Sequence, residues 1–418
     1  MNRIEMQALL MNYAPTAFMA AVGLLLIWFL YRYFWKAPDE LDAQHEKTAP
    51  VKQMVLFVLG WLVLSRLLIF GVCYAGYELD MGRTLDVGTW IRWDAKHYLG
   101  LANNWYQNEG DPRLHIVFYP LYPILIRALK PLLMGHELVA AFAASNACLA
   151  LCGLALFRLV EGEQGTDAAR RAVRYLMLCP VSLFFSLPYS ESLFLALTLG
   201  SVLMARREKM WLAILFGALA SATRMLGLLC AVPVFYAFIR RARKQEGAAM
   251  WRGLATGFAC TCLIATGFLA YLVLNKVITG DWFRFLVYQR EHWSQTFGSL
   301  GNSVKYTLEN LFNPSNDGVR YGIWLPQIVA MAAVLAVVGA TVRRAQPADA
   351  AYALLYYYIA LAPTWLLSGP RYLGGMYALY PMLALMTRRR WQDGAITGLL
   401  VLGLGYCVYQ YTVVGSMF

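Results

Sequence analysis

The chain has 418 residues, of which 60% are hydrophobic, 14% aromatic and 14% charged. That length would hold two or three soluble domains, but recurrent apolar runs of membrane-spanning length exclude that organisation and leave one polytopic membrane domain. The formal net charge is +12, and Lys and Arg gather at span ends, as at Arg206-Arg207, Arg343-Arg344 and Arg388-Arg389-Arg390; this positive-inside pattern excludes a nucleic-acid surface.

The eight cysteines lie in or beside apolar spans and form no paired zinc spacing, so they read as packing residues. Taken in order, the first apolar run, Ala17 to Phe34, lacks a basic start and a small-residue cleavage site and reads as a retained span. It ends on Arg32 and Lys36, which places the N-terminus outside and a linker up to Lys52 in the cytoplasm. Residues 1–52 are thus an extra amino-terminal span with its linker, and 53–418 a membrane domain. A second span, about 53 to 76, leads outward into a first outer loop, 77–136. Inside that loop Phe118 to Pro131 is apolar but carries three prolines, Arg127 and Lys130, and reads as interfacial or re-entrant.

Further on, Leu138 to Phe157 returns inward to Arg158, Arg170, Arg171 and Arg174. Tyr175 to Leu187 goes out to the turn Pro188-Tyr189-Ser190-Glu191, and Ser192 to Met204 comes back. Trp211 to Ile239 is too long for one span and is interrupted at Thr223-Arg224, so it reads as two short helices meeting near the outer side. The span from 251 to 277 leads to a second outer loop, 278–320. Tyr321 to Val342, Tyr352 to Leu367, Leu373 to Met386 and a last stretch, 394 to 414, complete an all-α polytopic protein of about twelve transmembrane helices. Its two larger extracytoplasmic loops are expected to carry short interfacial helices.

With so few ionisable groups, chemistry is confined to loops and mouths. The most concentrated group is Arg92-Trp93-Asp94-Ala95-Lys96-His97-Tyr98 in the first loop, where an aspartate stands among aromatic rings and cations. The same residues also suit a solvated interfacial loop with Trp and Tyr at headgroup level. In this topology Glu191, Arg224 and Arg371 converge on the outer face with Asp94, joined by Arg290 and His292 of the second loop. A membrane-facing arginine costs roughly 2.5 to 3.5 kcal/mol, so Arg224 and Arg371 call for anionic partners: Glu191 and Asp94 as a structural ion-pair network, or a ligand phosphate. One carboxylate beside several cations suits transfer of a group from a phosphate leaving group to a hydroxyl, with the carboxylate as general base. Arg, Lys and His can supply the positive charge for the departing phosphate without a metal, and no Asp-x-Asp pair or His cluster points to a bound cation, although Asp94 with Glu191 could make one; no metal, other cofactor or nucleic-acid partner is expected.

Trp93-Asp94-Ala-Lys-His97-Tyr98-Leu-Gly-Leu-Ala102, followed by Phe118-Tyr119-Pro-Leu-Tyr122-Pro123, resembles the first-loop pattern of the PIG-V family of GPI mannosyltransferases in the GT-C superfamily. Pro188-Tyr-Ser-Glu-Ser-Leu-Phe194, Ala222-Thr-Arg224, Gly280-Asp281 with Gln289, and Pro370-Arg371-Tyr372 are similar to later motifs of that family in the same order, over roughly residues 53 to 390. The resemblance implies a GT-C-like fold and an inverting mannosyltransferase. Its donor would be a polyprenyl-phosphate sugar and its acceptor a hydroxyl of a glycolipid, glycan or protein on the extracytoplasmic face. By motif position Asp94 corresponds to the catalytic aspartate. From charge and placement, Arg224, Arg371, Arg290 and His292 are assigned to the donor phosphate. Trp93, Lys96, His97, Tyr119, Tyr122, Glu191 and Gln289 are assigned to shaping the substrate site. Compact loops and the extra first span point to a bacterial plasma membrane. The rival readings are a flippase or transporter of a lipid-linked sugar, which would commonly show internal repeats, and a non-catalytic assembly subunit.

Overall fold

A computed structural model describes residues 3–34, 48–80, 82, 84 and 86–415. Most of the linker expected in the cytoplasm, 35–47 with Lys36, lies outside the described residues. Among them the regular structure is helical, with one isolated β-bridge between Phe297 and Pro363.

The helices are α1 (Arg3–Phe34), α2 (Val51–Tyr74), α3 (Asp94–Asn104), α4 (Leu121–Leu129), α5 (Glu137–Gln164) and α6 (Thr166–Met177), then α7 (Glu191–Arg206), α8 (Met210–Ser221) and α9 (Ala231–Ala242). They continue with α10 (Gly247–Cys262), α11 (Thr266–Thr279), α12 (Arg284–Trp293), α13 (Leu300–Phe312), α14 (Asp317–Val319), α15 (Leu325–Thr341), α16 (Pro347–Leu361), α17 (Gly369–Gly374), α18 (Leu379–Met386) and α19 (Arg390–Tyr409). The centre of the bundle is α5 packed on α6 and α7, with α7 against α8 and α18 against α6; α1 lies on α13 and α16.

Among the described residues six continuous helical stretches are long and apolar enough to cross a bilayer: Val51–Leu79, Glu137–Gln164, Met225–Ala242, Gly247–Thr279, Asp317–Thr341 and Arg390–Val414. The first expected span lies in α1, whose apolar part is Tyr13–Trp28, and the remaining expected crossings fall on shorter or interrupted pieces, which an apolar window in the sequence does not resolve. Phe118 to Pro131, expected to be interfacial or re-entrant and not a crossing, is one interrupted stretch: the helical segments Asp111–Val117 and Leu121–Leu133 meet at 110°, as in a broken span or a re-entrant loop. Trp211 to Ile239 is another, broken between α8 and a 3-10 turn at Met225–Cys230.

The largest departure from helix is 178–190, where the sequence leads one to expect an outward span. Here α6 stops at Met177 and the chain runs through turns, buried at every residue except the half-buried Pro180, until α7 begins. Pro180 and Pro188 interrupt helical hydrogen bonding, and polar side chains take its place. Arg66 of α2 donates to the Ser182 carbonyl at 3.0 Å, to Ser182 Oγ at 2.6 Å and to Ser186 Oγ. From α5, Ser145 Oγ donates to the Leu187 carbonyl at 2.7 Å, and Ser186 Oγ donates to Asn146 Oδ1 at 2.8 Å. A non-helical backbone at this depth is tolerated because it is buried in protein and hydrogen-bonded.

The end of α8 is held by close backbone approach. A Cβ at Gly267 would lie 1.8 Å from the Ala218 carbonyl oxygen, and one at Gly227 2.2 Å from the carbonyl carbon of Ala220. Ser221 Oγ ties the same corner by donating to the Ile264 carbonyl at 2.7 Å and accepting from the Phe268 amide at 3.1 Å. Gly267→Ala therefore forces α8 and α11 apart and is expected to cost about 1–3 kcal/mol or more. The readout is a lower thermal unfolding midpoint in detergent, with Gly398→Ala, a position with open space around it, as the neutral control.

Candidate active site

Asp94 is the first residue of α3 and Glu191 the first residue of α7, so the positive end of a helix dipole faces each carboxylate. Such placement contributes about 0.3–1 kcal/mol. Arg371 lies in the short α17, and Arg224 is the extended residue between α8 and the 3-10 turn. These four residues, from four separate parts of the chain, form one chain of ion pairs. Arg371 Nη2 donates to Asp94 Oδ2 at 2.5 Å, and its Nε lies 2.9 Å from Glu191 Oε1. Arg224 Nη1 donates to the same Glu191 oxygen at 2.6 Å.

The two arginines differ in setting. Arg371 is 4% exposed and shared by both carboxylates, with its guanidinium 5.1 Å from the Tyr189 ring centroid. Arg224 has one carboxylate and stands 5.0 Å from the Tyr372 ring. Glu191 is 2% exposed, and its second oxygen, Oε2, has no hydrogen-bond partner among the described residues.

The loop bearing Asp94 is fixed from behind. Tyr189 donates to the Arg92 carbonyl at 2.9 Å, and the Arg92 side chain donates to the Tyr411 carbonyl and, at 2.9 Å, to the Tyr77 hydroxyl. Arg92 therefore turns away from Asp94. Trp93 between them has φ 50°, a left-handed conformation that is strained for a bulky residue and persists only where its surroundings enforce it.

Asp94, Arg224 and Arg371 open onto a cavity of about 360 Å³, whose wall also includes Trp93, Tyr119 and Gln289. Lys96 is exposed and Glu191 stands behind the two arginines. Tyr122 is fully buried, with its hydroxyl 2.7 Å from Ser145 Oγ. His97 is stacked on Phe118 at 4.8 Å between ring centroids and meets His115 edge-on at 5.2 Å. Gln289 and Trp293 share one face of α12 and line the cavity, whereas Arg290 and His292 are exposed and lie outside its wall. Among the lining residues to which the sequence assigned no role are Tyr98, whose hydroxyl is 2.9 Å from Ser190 Oγ, Tyr372, Trp293 and Trp365. Trp365, like Trp93, has positive φ, at 49°.

The fold and site define a polytopic membrane protein of GT-C type. The structure is similar to that of ArnT from Cupriavidus metallidurans bound to undecaprenyl phosphate, with a TM-score of 0.51 and 16% identity, over 81% of this chain and 62% of that one. The profile of glycosyltransferase family 87 matches residues 117–369, and the chain belongs to that family. It is also similar to GPI alpha-1,6-mannosyltransferase 2 of Mus musculus and of Homo sapiens, 30% identical to each over 159 and 158 residues. Each match takes in 34% of this chain and only 30% of the relative's length.

Two expectations follow. Removing one partner of a buried ion pair leaves the other charge uncompensated at a cost of about 3–5 kcal/mol. Arg371→Gln, which strands Asp94 and leaves Glu191 with Arg224 alone, is expected to lower the unfolding midpoint more than Asp94→Asn, because the Asp94 side chain is 29% exposed and in that variant Arg371 keeps Glu191. The second concerns His115, whose pKa burial and the neighbouring His97 lower from 6.5 to about 4. A histidine held neutral in this way contributes stability above pH 6.5 that is lost as pH falls towards 4, because the unfolded chain binds the proton more readily. The midpoint of the wild type is expected to fall more steeply between pH 6.5 and 4 than that of His115→Gln.

Proposed function

We propose that this protein transfers mannose from a polyprenyl-phosphate-mannose donor, with inversion, to a hydroxyl of a glycolipid, glycan or protein acceptor at the extracytoplasmic face of the membrane. The observation that carries this reading is the joint presence of a carboxylate and two arginines at one cavity wall. The likeness to the GPI mannosyltransferases supports the sugar, and the undecaprenyl phosphate bound by ArnT supports the donor class.

In this reading Asp94 accepts the proton of the attacking hydroxyl as the new glycosidic bond forms at the sugar's anomeric carbon. The bond from that carbon to the phosphate oxygen breaks on the opposite face, and the lipid phosphate leaves with the electron pair. A general base so placed contributes typically 10²–10⁴-fold. Arg371 orients Asp94 through their 2.5 Å contact, and Glu191 holds both arginines. Arg224, with a single carboxylate partner, is the better placed of the two to receive the departing phosphate, whose charge a guanidinium fork matches. Trp93, Tyr119, Gln289 and the newly found Trp293 and Trp365 would surround the sugars. Lys96, His97 and Tyr122 would act by supporting that wall. Arg290 and His292, exposed on the second outer segment, would meet the donor only outside the cavity. Transfer is inferred to be metal-independent, since arginines supply the positive charge. Placement in a bacterial plasma membrane is part of the same reading.

The test is transfer from radiolabelled polyprenyl-phosphate-mannose into lipid and protein fractions by membranes holding equal folded amounts of wild type or Asp94→Asn, with EDTA present throughout. Transfer by the wild type that falls by about 10²-fold or more in the variant is the expected result. Equal activity in the two would remove Asp94 from the mechanism, and absence of transfer by both would remove the donor.

A further inference from the structure

A second polar cavity lies at the opposite end of the bundle. Helix α16 links the two: Ala360 lines the Asp94 cavity and Asp349 the other, about 16 Å apart at 1.5 Å per residue. The second cavity, about 570 Å³, is lined by arginines from three elements: Arg171 of α6, Arg344 of the α15–α16 turn and Arg388 of the turn after α18. Its two carboxylates, Glu163 and Asp349, are already engaged. Arg206 donates to Glu163 Oε1 at 2.7 Å and to Asp349 Oδ1 at 2.6 Å, and Tyr377 donates to the same Asp349 oxygen at 2.7 Å. Four guanidinium groups thus face two carboxylates, an excess of two positive charges.

Arg171, Arg344 and Arg388 have no ion-pair partner within 4 Å among the described residues. Arg171 is placed by a 3.4 Å bond to the Ala384 carbonyl, yet its buried Nε has no hydrogen-bond partner among the described residues. A buried donor without a partner is unfavourable, the more so in a charged group, and a ligand oxygen would relieve it. Three arginines on separate elements are poor partners for one another and good ones for a tetrahedral oxyanion with two charges. The remaining wall, including Ala345, Met382 and Leu385, is apolar.

We propose that this cavity binds a phosphate monoester, with the phosphate on Arg171, Arg344 and Arg388 and its first carbons along the apolar wall. The site is separate from the Asp94 cavity, and its occupant would join the ends of α5, α6, α15 and α18. The chemistry suits a lipid headgroup or free phosphate alike.

The experiment uses the full chain purified in an uncharged detergent and reads the thermal unfolding midpoint. The probes are inorganic phosphate against chloride at constant ionic strength, and mixed micelles containing dioleoyl phosphatidic acid against dioleoyl phosphatidylcholine. Wild type is expected to show a saturable rise with phosphatidic acid and none with phosphatidylcholine. A rise with inorganic phosphate too shows that the anion alone is recognised; a rise with phosphatidic acid alone assigns the site to a lipid. In R171Q/R388Q the apparent affinity is expected to fall at least about tenfold, the scale of one lost charge-assisted hydrogen bond. R343Q/R389Q, in the same turns but outside the cavity wall, is expected to leave it unchanged. If R171Q/R388Q does not fold, R388Q alone, at an exposed side chain, carries the comparison. The proposal is overturned if neither anion shifts the midpoint, if the cavity variants bind as tightly as wild type, or if both sets of variants weaken binding equally. Glycosyl transfer is not the readout, so the outcome stands whatever becomes of the donor assignment.

Discussion

The site depends on one arginine held by two acids. Arg371 is almost wholly desolvated, and it is tolerable there only because Asp94 and Glu191 both reach it. Glu191 in turn balances Arg224, so the four charges cancel and removal of any one leaves the network with a net charge. The placement of those carboxylates is what the surrounding architecture secures. Asp94 and Glu191 each begin a helix, the turn before Glu191 is bonded to the backbone of Arg92, and Arg92 is bonded to the backbone after α19. A rigid frame of this kind costs nothing further at the moment of reaction, which is the condition under which fixed charges stabilise a developing phosphate.

Much of this could be read from the sequence because charge is scarce in it. A carboxylate or guanidinium in a membrane domain needs a reason, and that requirement alone connects Asp94, Glu191, Arg224 and Arg371 in the sequence. The break at Thr223-Arg224 was legible for the same reason, since an arginine amid an apolar run marks where helix gives way. Arg290 and His292 show the limit of reading by residue type. Gln289 and Trp293, four apart on α12, share the face that lines the cavity, whereas Arg290 and His292 fall outside it. Helical phase carries that distinction, and charge alone does not. Trp365 was beyond reach altogether: its place on the wall follows from tertiary pairing of its loop with Thr296 and from a backbone conformation that no local pattern announces.

The expected count of about twelve spans is not confirmed, for a related reason. Apolar composition reports what a segment can dissolve in and says little about whether its backbone is continuous. Tyr175 to Leu187 and Leu373 to Met386 are apolar enough to cross, but the first leaves helix at Met177 and the second is divided between α17 and α18. Both interruptions lie beside the ion-pair network. In a membrane domain of family 87 the irregular backbone is therefore concentrated where side chains must be aimed with precision, and the long uninterrupted helices surround it.

The turns at 178–190 bear on how the protein is made. Their carbonyls and hydroxyls are satisfied by Arg66 on α2 and by Ser145 and Asn146 on α5. A segment of this kind has no self-contained state in lipid while the chain is being inserted, so it must wait in a watery or chaperoned environment until α2 and α5 are both in place. Biogenesis thus acquires an obligatory order, in which the amino-terminal half assembles a polar berth before the buried turns can leave the insertion machinery.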